Sequence, residues 1–529
     1  MDLNLIKPMR DDYTDYLRDE SRAIGQADSI SFPKNENEVA SILKTLYAQG
    51  TPITVQGART GLAAGAVPRG GHILNLSKMD HIKGIRQSAD GHFHITVEAG
   101  TILSQLRKRI EQKKFDTADW TPESQQSLEA FKDEPALFFS PDPTESSATI
   151  GGMVACNASG ARSYLYGPTR DHISGLRVVL HDGQIAALKR GDYKASGRTL
   201  RFPTLQGNQI TVDLPTYTMP RTKNASGYYI EDQLDAVDLF IGSDGTLGIV
   251  TEAELRLQSL PQTIWGITCF FSEEAAALDF VISARDTMNQ LASMEYFDGH
   301  ALDILRYQKK HNPGFSKLPI LPDHVNTAIY VELHCQEEID ALEGLKTIGQ
   351  LLEKAGADSK DTWVARNESD RDRLLFFRHA VPESVNMLID QRKKTNPVIT
   401  KLGTDMSVPD QHLKQIMAMY HRMLAERNLE SAIWGHVGNN HLHVNILPRD
   451  DEDYKKGKAL YDEWAAEVTR LGGAVSAEHG VGKLKAKYLE VMYGREAIEE
   501  MARLKQYFDP KGLLGAGNLF EPVKGEVSE

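Results

Sequence analysis

The 529-residue chain is poor in cysteine: Cys156, Cys269 and Cys335 lie far apart and form no CxxC pair. That spacing argues against a disulfide framework, a zinc ribbon or a chain-borne iron–sulfur cluster, and it fits a reducing cytoplasm. No stretch approaches the ~18 consecutive apolar residues of a membrane span. Residues 1–7 offer neither a basic n-region nor an apolar h-region, so no secretory signal is expected. Positive charge is scarce. Sixty Lys and Arg against 73 Asp and Glu leave a formal net charge of −13, and no Lys/Arg stripe offsets it, which argues against a nucleic-acid partner. An anionic ligand must therefore be held by backbone dipoles and a few placed cations. Standard nucleotide signatures are missing as well. Residues 57–65 lack the Gly-Lys-Ser/Thr ending of a P-loop, and Gly480-Val481-Gly482 and Gly515-Ala516-Gly517 lack the third glycine of GxGxxG. A nicotinamide-binding Rossmann domain is disfavoured, and no internal repeat or low-complexity tract occurs.

With 41% hydrophobic and 25% charged residues, the chain is an ordinary globular protein with ample core. Asn35 with Glu38 reads as a capping box, after which Val39, Ile42, Leu43 and Leu46 share one helical face up to Gly50. Residues 52–55, 73–76 and 94–100 read as strands, and Asp182-Gly183 turns a hairpin over 176–188. Residues 116–135 read as a polar surface loop, and 239–251 as a glycine-bearing strand. Composition shifts after Leu260-Pro261, where helices begin to alternate with strands such as 327–333, and a connecting loop is expected over 309–325. Residues 449–453 read as a solvated turn, 473–477 as a strand-like run, and the chain from Pro522 onward as frayed.

Three segments join close-approach glycines to hydroxyl side chains: Gly57 to Gly65, Ser140 through Gly160, and Gly242 to Gly248. Such glycines let a ligand touch the main chain, and consecutive N–H groups make anion nests. One such segment is most simply a tight turn. Three in order point to an extended groove for a ligand with phosphates and a broad ring system.

The second feature is Gly435-His436-Val437-Gly438-Asn439-Asn440-His441-Leu442-His443-Val444-Asn445 together with Ser476-Ala477-Glu478-His479-Gly480. Alternation over 442–446 is strand periodicity, and Asn439-Asn440 suits a two-residue primed turn. That turn sets His436 opposite His443, with Cβ atoms roughly 5 Å apart on one face. Glu478 then completes a two-histidine, one-carboxylate set with open coordination positions, and His479 is left as a base beside the metal. The alternative is a pair of solvent-facing or hydrogen-bonded histidines.

In this order the motifs resemble the FAD-binding oxidase and dehydrogenase family typified by vanillyl-alcohol oxidase and p-cresol methylhydroxylase. Within it they are similar to the D-lactate, glycolate and D-2-hydroxyglutarate dehydrogenase branch. The resemblance runs from about Tyr16 to Phe520. It implies an α+β fold in which a two-part PCMH-type FAD-binding domain (1–261) precedes an α+β substrate, or cap, domain (262–475) with a ferredoxin-like antiparallel sheet. A C-terminal segment (476–529) carries the Glu-His motif back to the FAD domain. The family's cofactor positions correspond here to Gln56, Gly57, Ala58, Arg59, Thr60, Gly61 and Leu62; to Pro141, Asp142, Thr149, Gly151, Gly152, Asn157, Ser159 and Gly160; and to Asp244, Gly248, Ile249, Val250 and Asn518. Gln56 and Arg59 depart from the usual Arg and Gly, so Arg59 is expected to lend its guanidinium to the pyrophosphate. No histidine follows the first turn where some relatives attach flavin, so noncovalent FAD is implied.

By the same resemblance His436, His443 and Glu478 match ligands of a divalent metal (zinc, manganese or iron), and His479 matches the catalytic base. Arg378, Lys401 and Asn445 match substrate contacts. Asn440 replaces a glycine and His441 an asparagine, and His441 is placed outside the site. Pro382 stands where the hydroxyglutarate branch has a hydroxyl residue, and Lys401 is displaced by two positions. The implied reaction is oxidation of a (D-)2-hydroxy acid to the 2-oxo acid. Electrons then pass to a separate quinone, cytochrome or electron-transfer flavoprotein. A cytoplasmic protein, compatible with a homodimer and with peripheral attachment at the inner membrane, is expected. The alternatives are a same-fold flavoenzyme for another alcohol, a flavin-free metal-dependent hydrolase, and a non-catalytic FAD-binding subunit.

Overall fold

A computed structural model of the protein describes residues 5–521. The first four residues of the N-terminal reading and the frayed end from Pro522 lie outside the described residues. Near the N-terminus, Ile53–Gln56 runs parallel to His72–Asn75, which runs parallel to Ser29–Ser31, with Lys7–Pro8 antiparallel at the edge. The helix Glu36–Ala48 covers this sheet with Val39, Ile42, Leu43 and Leu46. Its start follows from the sequence: the Asn35 side chain accepts from the Glu38 N–H at 3.0 Å, and Glu38 accepts from the Lys34 N–H at 2.7 Å.

Beside it lies a five-stranded antiparallel sheet in the order Ile82–Gln87, Phe93–Glu98, Ile249–Arg256, Ile173–Val179, Ile185–Lys189. The C-terminal stretch returns to this half. Val481, Leu489, Met501, Leu504 and Phe508 enter the core under the five-stranded sheet. Ile53 donates its N–H to Leu513 O at 2.7 Å, and Gly515 donates to Ile53 O at 2.9 Å.

The second half is built on an eight-stranded antiparallel sheet. Its order is Trp363–Ala365, Thr263–Phe271, Thr327–Cys335, Leu291–Phe297, Ser431–His436, His441–Ile446, Leu402–Gly403, with Met406–Ser407 also paired to His441–Ile446. Helices Glu274–Thr287, Glu338–Lys354, Leu413–Glu426 and Asp451–Arg470 pack on one face. Gly299–His311 and Glu368–Lys393 pack on the other. Because both faces are covered, the central strands Leu291–Phe297 and Thr327–Cys335 are buried along their whole length and do not alternate. A charged residue in such a strand must be paired.

The structure corrects several local expectations. Residues 116–135 contain a helix, Pro122–Asp133, because Thr121 caps it, Pro122 suits its first turn, and Leu128 and Phe131 reach the core beside Trp120. The run 239–251 is not one strand: Leu239 and Phe240 end the helix Ala236–Phe240, and the strand starts only at Ile249. The acidic run 449–453 opens the helix Asp451–Arg470, with Asp450 as its cap and Asp453 buried against Arg449 at 2.6 Å. Residues 473–477 make a single bridge, Ser407 to Ala474, and no strand. No helix among the described residues is long and apolar enough to cross a membrane.

Candidate active site

The hairpin joining Ser431–His436 to His441–Ile446 has a four-residue connection, not the two-residue primed turn read from the sequence. Residues 437–439 make a 3₁₀ turn, and Asn440 takes the left-handed conformation at φ 49°. The register therefore moves by two: His436 faces His441, Gly435 faces Leu442, and Trp434 faces His443. His441, His443 and Asn445 fall on one face by strand alternation. At φ 137°, Gly435 lets the strands close here, since a Cβ would lie 3.0 Å from the His443 ring.

This register brings His441 into the site from which the sequence reading had excluded it. Nitrogens of His436, His441 and His443 and an oxygen of Glu478 all lie within 4.8 Å of one another. His436 and His443 are each held at the other nitrogen. Nδ1 of His436 lies 2.6 Å from Glu295 Oε1, and Nδ1 of His443 lies 3.1 Å from Thr404 O. Nε2 of His441 lies 2.9 Å from Asp405 Oδ1, though out of line for a hydrogen bond. Acceptors behind the rings fix which nitrogen faces the shared centre, as is typical of metal-binding histidines.

Glu478 reaches the cluster from a loop whose backbone is clamped by one buried carboxylate. Asp405 accepts the Glu478 N–H at 3.2 Å and the His479 N–H at 3.0 Å, and it also receives Ser476 Oγ at 2.6 Å and Lys485 Nζ at 2.5 Å. Glu478 Oε2 lies 3.1 Å from His436 Nε2, while Oε1 accepts from Lys223 Nζ at 3.2 Å and Ser159 Oγ at 3.3 Å. Ser159 and Lys223 belong to the N-terminal half, so the cluster sits where the two halves meet. The His479 ring stacks on His443 at 5.6 Å with 6° between planes, and its Nδ1 lies 3.5 Å from Asp405.

Burial would raise Glu478 and Asp405, but Lys223 and His436 hold the first well below the usual carboxylate range, and His479 and Lys485 do the same for the second. Burial alone would lower His436, yet Glu295 and Glu478 raise it to about 9. For His441 burial prevails over Asp405 and pushes it down to about 4.

Arg378 lies on Glu368–Lys393 and donates from Nε to Glu295 Oε2 at 3.0 Å, its only hydrogen bond among the described residues. Its side chain keeps 17% exposure, which leaves the fork of Nη atoms available. Pro382, four residues on, cannot donate to the Arg378 carbonyl. Asn445 donates to His443 O at 2.8 Å. Lys401 lies over the Trp434 ring at 5.9 Å, on the His443 side of the hairpin but outside the histidine cluster.

Of the expected cofactor residues, several line one another as a cradle. A Cβ on Gly57 would meet Thr149 Oγ1 at 2.0 Å, one on Gly151 would meet Ala99, and one on Gly160 would meet Asp142 O at 2.0 Å. Thr149 Oγ1, between Gly57 and Gly152, is buried without a partner, and the space beside Gly61 is open. This donor and this opening fit a ligand that brings acceptor oxygens to the glycine turn formed by Ala58, Thr60 and Leu62. Other side chains are already engaged inside the protein. Gln56 donates to Tyr16 O and Ala66 O at 2.7 Å each. Asn157 accepts from Arg170 N, and Pro141 O accepts from Arg107. Asp142 lies beside Arg162, Asp244 accepts from Gly482 N, and Asn518 ties Gly65, Asp244 and Lys483 together. Gly248 meets Val178, Ile249 is in the core, and Val250 follows on the same strand. Arg59 does take a strained backbone, φ 62°, and its guanidinium stacks on the Tyr16 ring at 4.3 Å.

Sequence reasoning missed Glu295, Asp405 and Lys223. Glu295 did carry a signal, as a lone carboxylate in an otherwise uncharged strand. Asp405 and Lys223 had none, because their partners are distant in the chain.

Comparison with known proteins adds the cofactor. The family described as "FAD linked oxidases, C-terminal domain" matches residues 260–519, and "FAD binding domain" matches 27–128 and 122–189. The chain is 26% identical over 497 residues to the glycolate oxidase subunit GlcD of Bacillus subtilis, covering 93% of this chain and 89% of that one. It is 26% identical over 511 residues to the D-2-hydroxyglutarate dehydrogenase of Stutzerimonas stutzeri, covering 96% and 94%. It is 27% identical over 497 residues to a probable mitochondrial D-lactate dehydrogenase of Danio rerio, covering 93% and 84%. Among solved structures, 4-ethylphenol oxidase from Gulosibacter chungangensis superposes with a TM-score of 0.64 at 15% identity, over 98% of this chain and 95% of that one. An alkyldihydroxyacetonephosphate synthase superposes with a TM-score of 0.60 at 14% identity, over 97% and 82%. These two establish the α+β, PCMH-type fold alone. The flavin-free hydrolase alternative is set aside by the FAD-binding match. Two family matches that together span most of the chain, on a fold with a glycine cradle at the expected turns, place this protein in the FAD-linked oxidase family, as an FAD-linked oxidoreductase.

Proposed function

We propose that this protein oxidises a 2-hydroxy acid of the D-lactate, glycolate or 2-hydroxyglutarate kind to the 2-oxo acid, with a divalent cation assisting. The observation that carries this reading is the unbroken contact chain Arg378–Glu295–His436–Glu478, which links a carboxylate-binding fork to the histidine cluster. The names of the relatives support the substrate class.

Arg378 binds the substrate carboxylate through its Nη atoms, while Glu295 orients it from Nε. His436, His443 and Glu478 are the proposed metal ligands. A cation held by them would supply Lewis acidity that lowers the pKa of a substrate hydroxyl. His479 takes that hydroxyl proton on Nε2, because Nδ1 faces Asp405, whose charge orients the ring and stabilises the imidazolium formed. FAD, when bound, would supply the hydride acceptor at Cα, so that the substrate gives up a proton from its hydroxyl and a hydride from Cα, two protons and two electrons in all, in becoming the 2-oxo acid. Lys223 and Ser159 hold Glu478 in place, and Asn445, two residues beyond His443 on the same strand, and Lys401 are the proposed contacts to the remainder of the substrate. A quinone, a cytochrome or an electron-transfer flavoprotein is the proposed final electron acceptor.

The test is anaerobic bleaching of the flavin by a panel of D- and L-2-hydroxy acids, repeated after chelation. Bleaching by at least one acid, slowed by the chelator, is expected. If no acid bleaches the flavin, the substrate class is wrong.

A further inference from the structure

We infer that His441 is a metal ligand of this site, giving a donor set of three imidazoles and one carboxylate that suits a divalent cation of five or six coordinates. The inference rests on the metal-assisted reading above and adds to it a ligand and a preference among ions.

Three observations carry it. The first is place: the four-residue turn puts His441 directly opposite His436, and the two ring centroids are 5.3 Å apart. His443, two residues on, is 4.6 Å away, ring to ring. The second is orientation. Nε2 of His441 lies 2.9 Å from Asp405 Oδ1 on the outer side, and Nδ1 lies 3.7 Å from Glu478 Oε2 on the inner side. This repeats the arrangement of His436, whose outer nitrogen meets Glu295 and whose inner nitrogen meets the same Glu478 oxygen. The third is an unmet need. His441 is fully buried, and neither ring nitrogen makes an aligned hydrogen bond. A histidine serving only the core would be expected to satisfy at least one of them. A cation between the rings supplies the missing partner for Nδ1 and leaves Nε2–H for Asp405.

The donor count has a chemical consequence. Four protein donors fill a tetrahedral zinc site and leave no position for substrate. A hydroxy acid that also ligates through its hydroxyl and carboxylate needs one or two more positions, which manganese(II), iron(II) and cobalt(II) accept more readily.

The experiment uses FAD-loaded protein stripped by chelator and titrated with cobalt(II). Wild type, His441→Asn and His436→Ala are compared by competition with a chromophoric chelator, with FAD content as the check on folding. His441→Asn is expected to weaken cobalt binding at least about 10-fold and to shift the visible band. X-ray absorption of cobalt-loaded wild type, which needs no variant to fold, is expected to count three imidazoles. A count of two, with His441→Asn binding like wild type, overturns the His441 assignment. If His436→Ala still loses cobalt in that case, the two-histidine site stands without His441. A wild type that binds no cobalt overturns both readings.

Discussion

Glu295 and His436 are locked together at 2.6 Å inside the large sheet, and the second oxygen of the same carboxylate takes Nε of Arg378 at 3.0 Å. One side chain thus orients both a proposed metal ligand and the proposed substrate clamp. Replacing it by Gln keeps the shape and removes the charge. Glu295→Gln is expected to weaken metal binding about 10- to 100-fold, with FAD content unchanged. Chelator competition measures this, and unaltered affinity would show that Glu295 only packs.

His479 stands apart from the ligand set, stacked on His443 and steered by Asp405. His479→Ala should retain FAD and metal but reduce the flavin about 10²- to 10⁴-fold more slowly with substrate. Stopped-flow absorbance reads the rate, and wild-type reduction would contradict its role as base.

Arg378 offers a planar fork that lysine cannot reproduce. Arg378→Lys preserves the charge beside Glu295, so the fold should survive while KM rises about 10-fold or more and kcat changes less. Steady-state kinetics with an artificial acceptor separates the two. A pure kcat effect would place Arg378 outside the carboxylate site.

Far from this site, His72 is fully buried between Ser29 Oγ and Ser31 Oγ, each at 2.8 Å. Burial lowers its pKa to about 4. The folded protein therefore keeps the ring neutral, whereas the unfolded chain protonates it near 6.5. Its contribution to stability is complete above that value and is lost as pH falls toward 4, by about 3 kcal/mol. Urea midpoints measured across pH 4–7 should fall less steeply for His72→Asn than for wild type. Parallel curves would mean that His72 does not set the slope.

Much of the local structure was legible because its causes are local. Asn35 and Glu38 marked a helix start, Asp182-Gly183 marked a hairpin, and several glycines of the three segments stand where a Cβ would strike the neighbouring chain. Misreadings came where short-range pattern was weak. Leu128 and Phe131 looked isolated in a polar stretch, yet both anchor a helix to the core.

The sequence by itself determined the chemistry available: His436, His443, Glu478 and His479 in two motifs, an arginine upstream, and three glycine segments without a Rossmann or P-loop signature. Tertiary structure alone decided how these residues meet. A turn of four residues rather than two moved the register by two positions and set His441 against His436. Strand pairing then put Glu295 behind His436, 141 residues earlier in the chain, and Asp405 behind the Glu478–His479 backbone. Register and long-range pairing depend on the whole sheet and its two covered faces, so no window of sequence contains them.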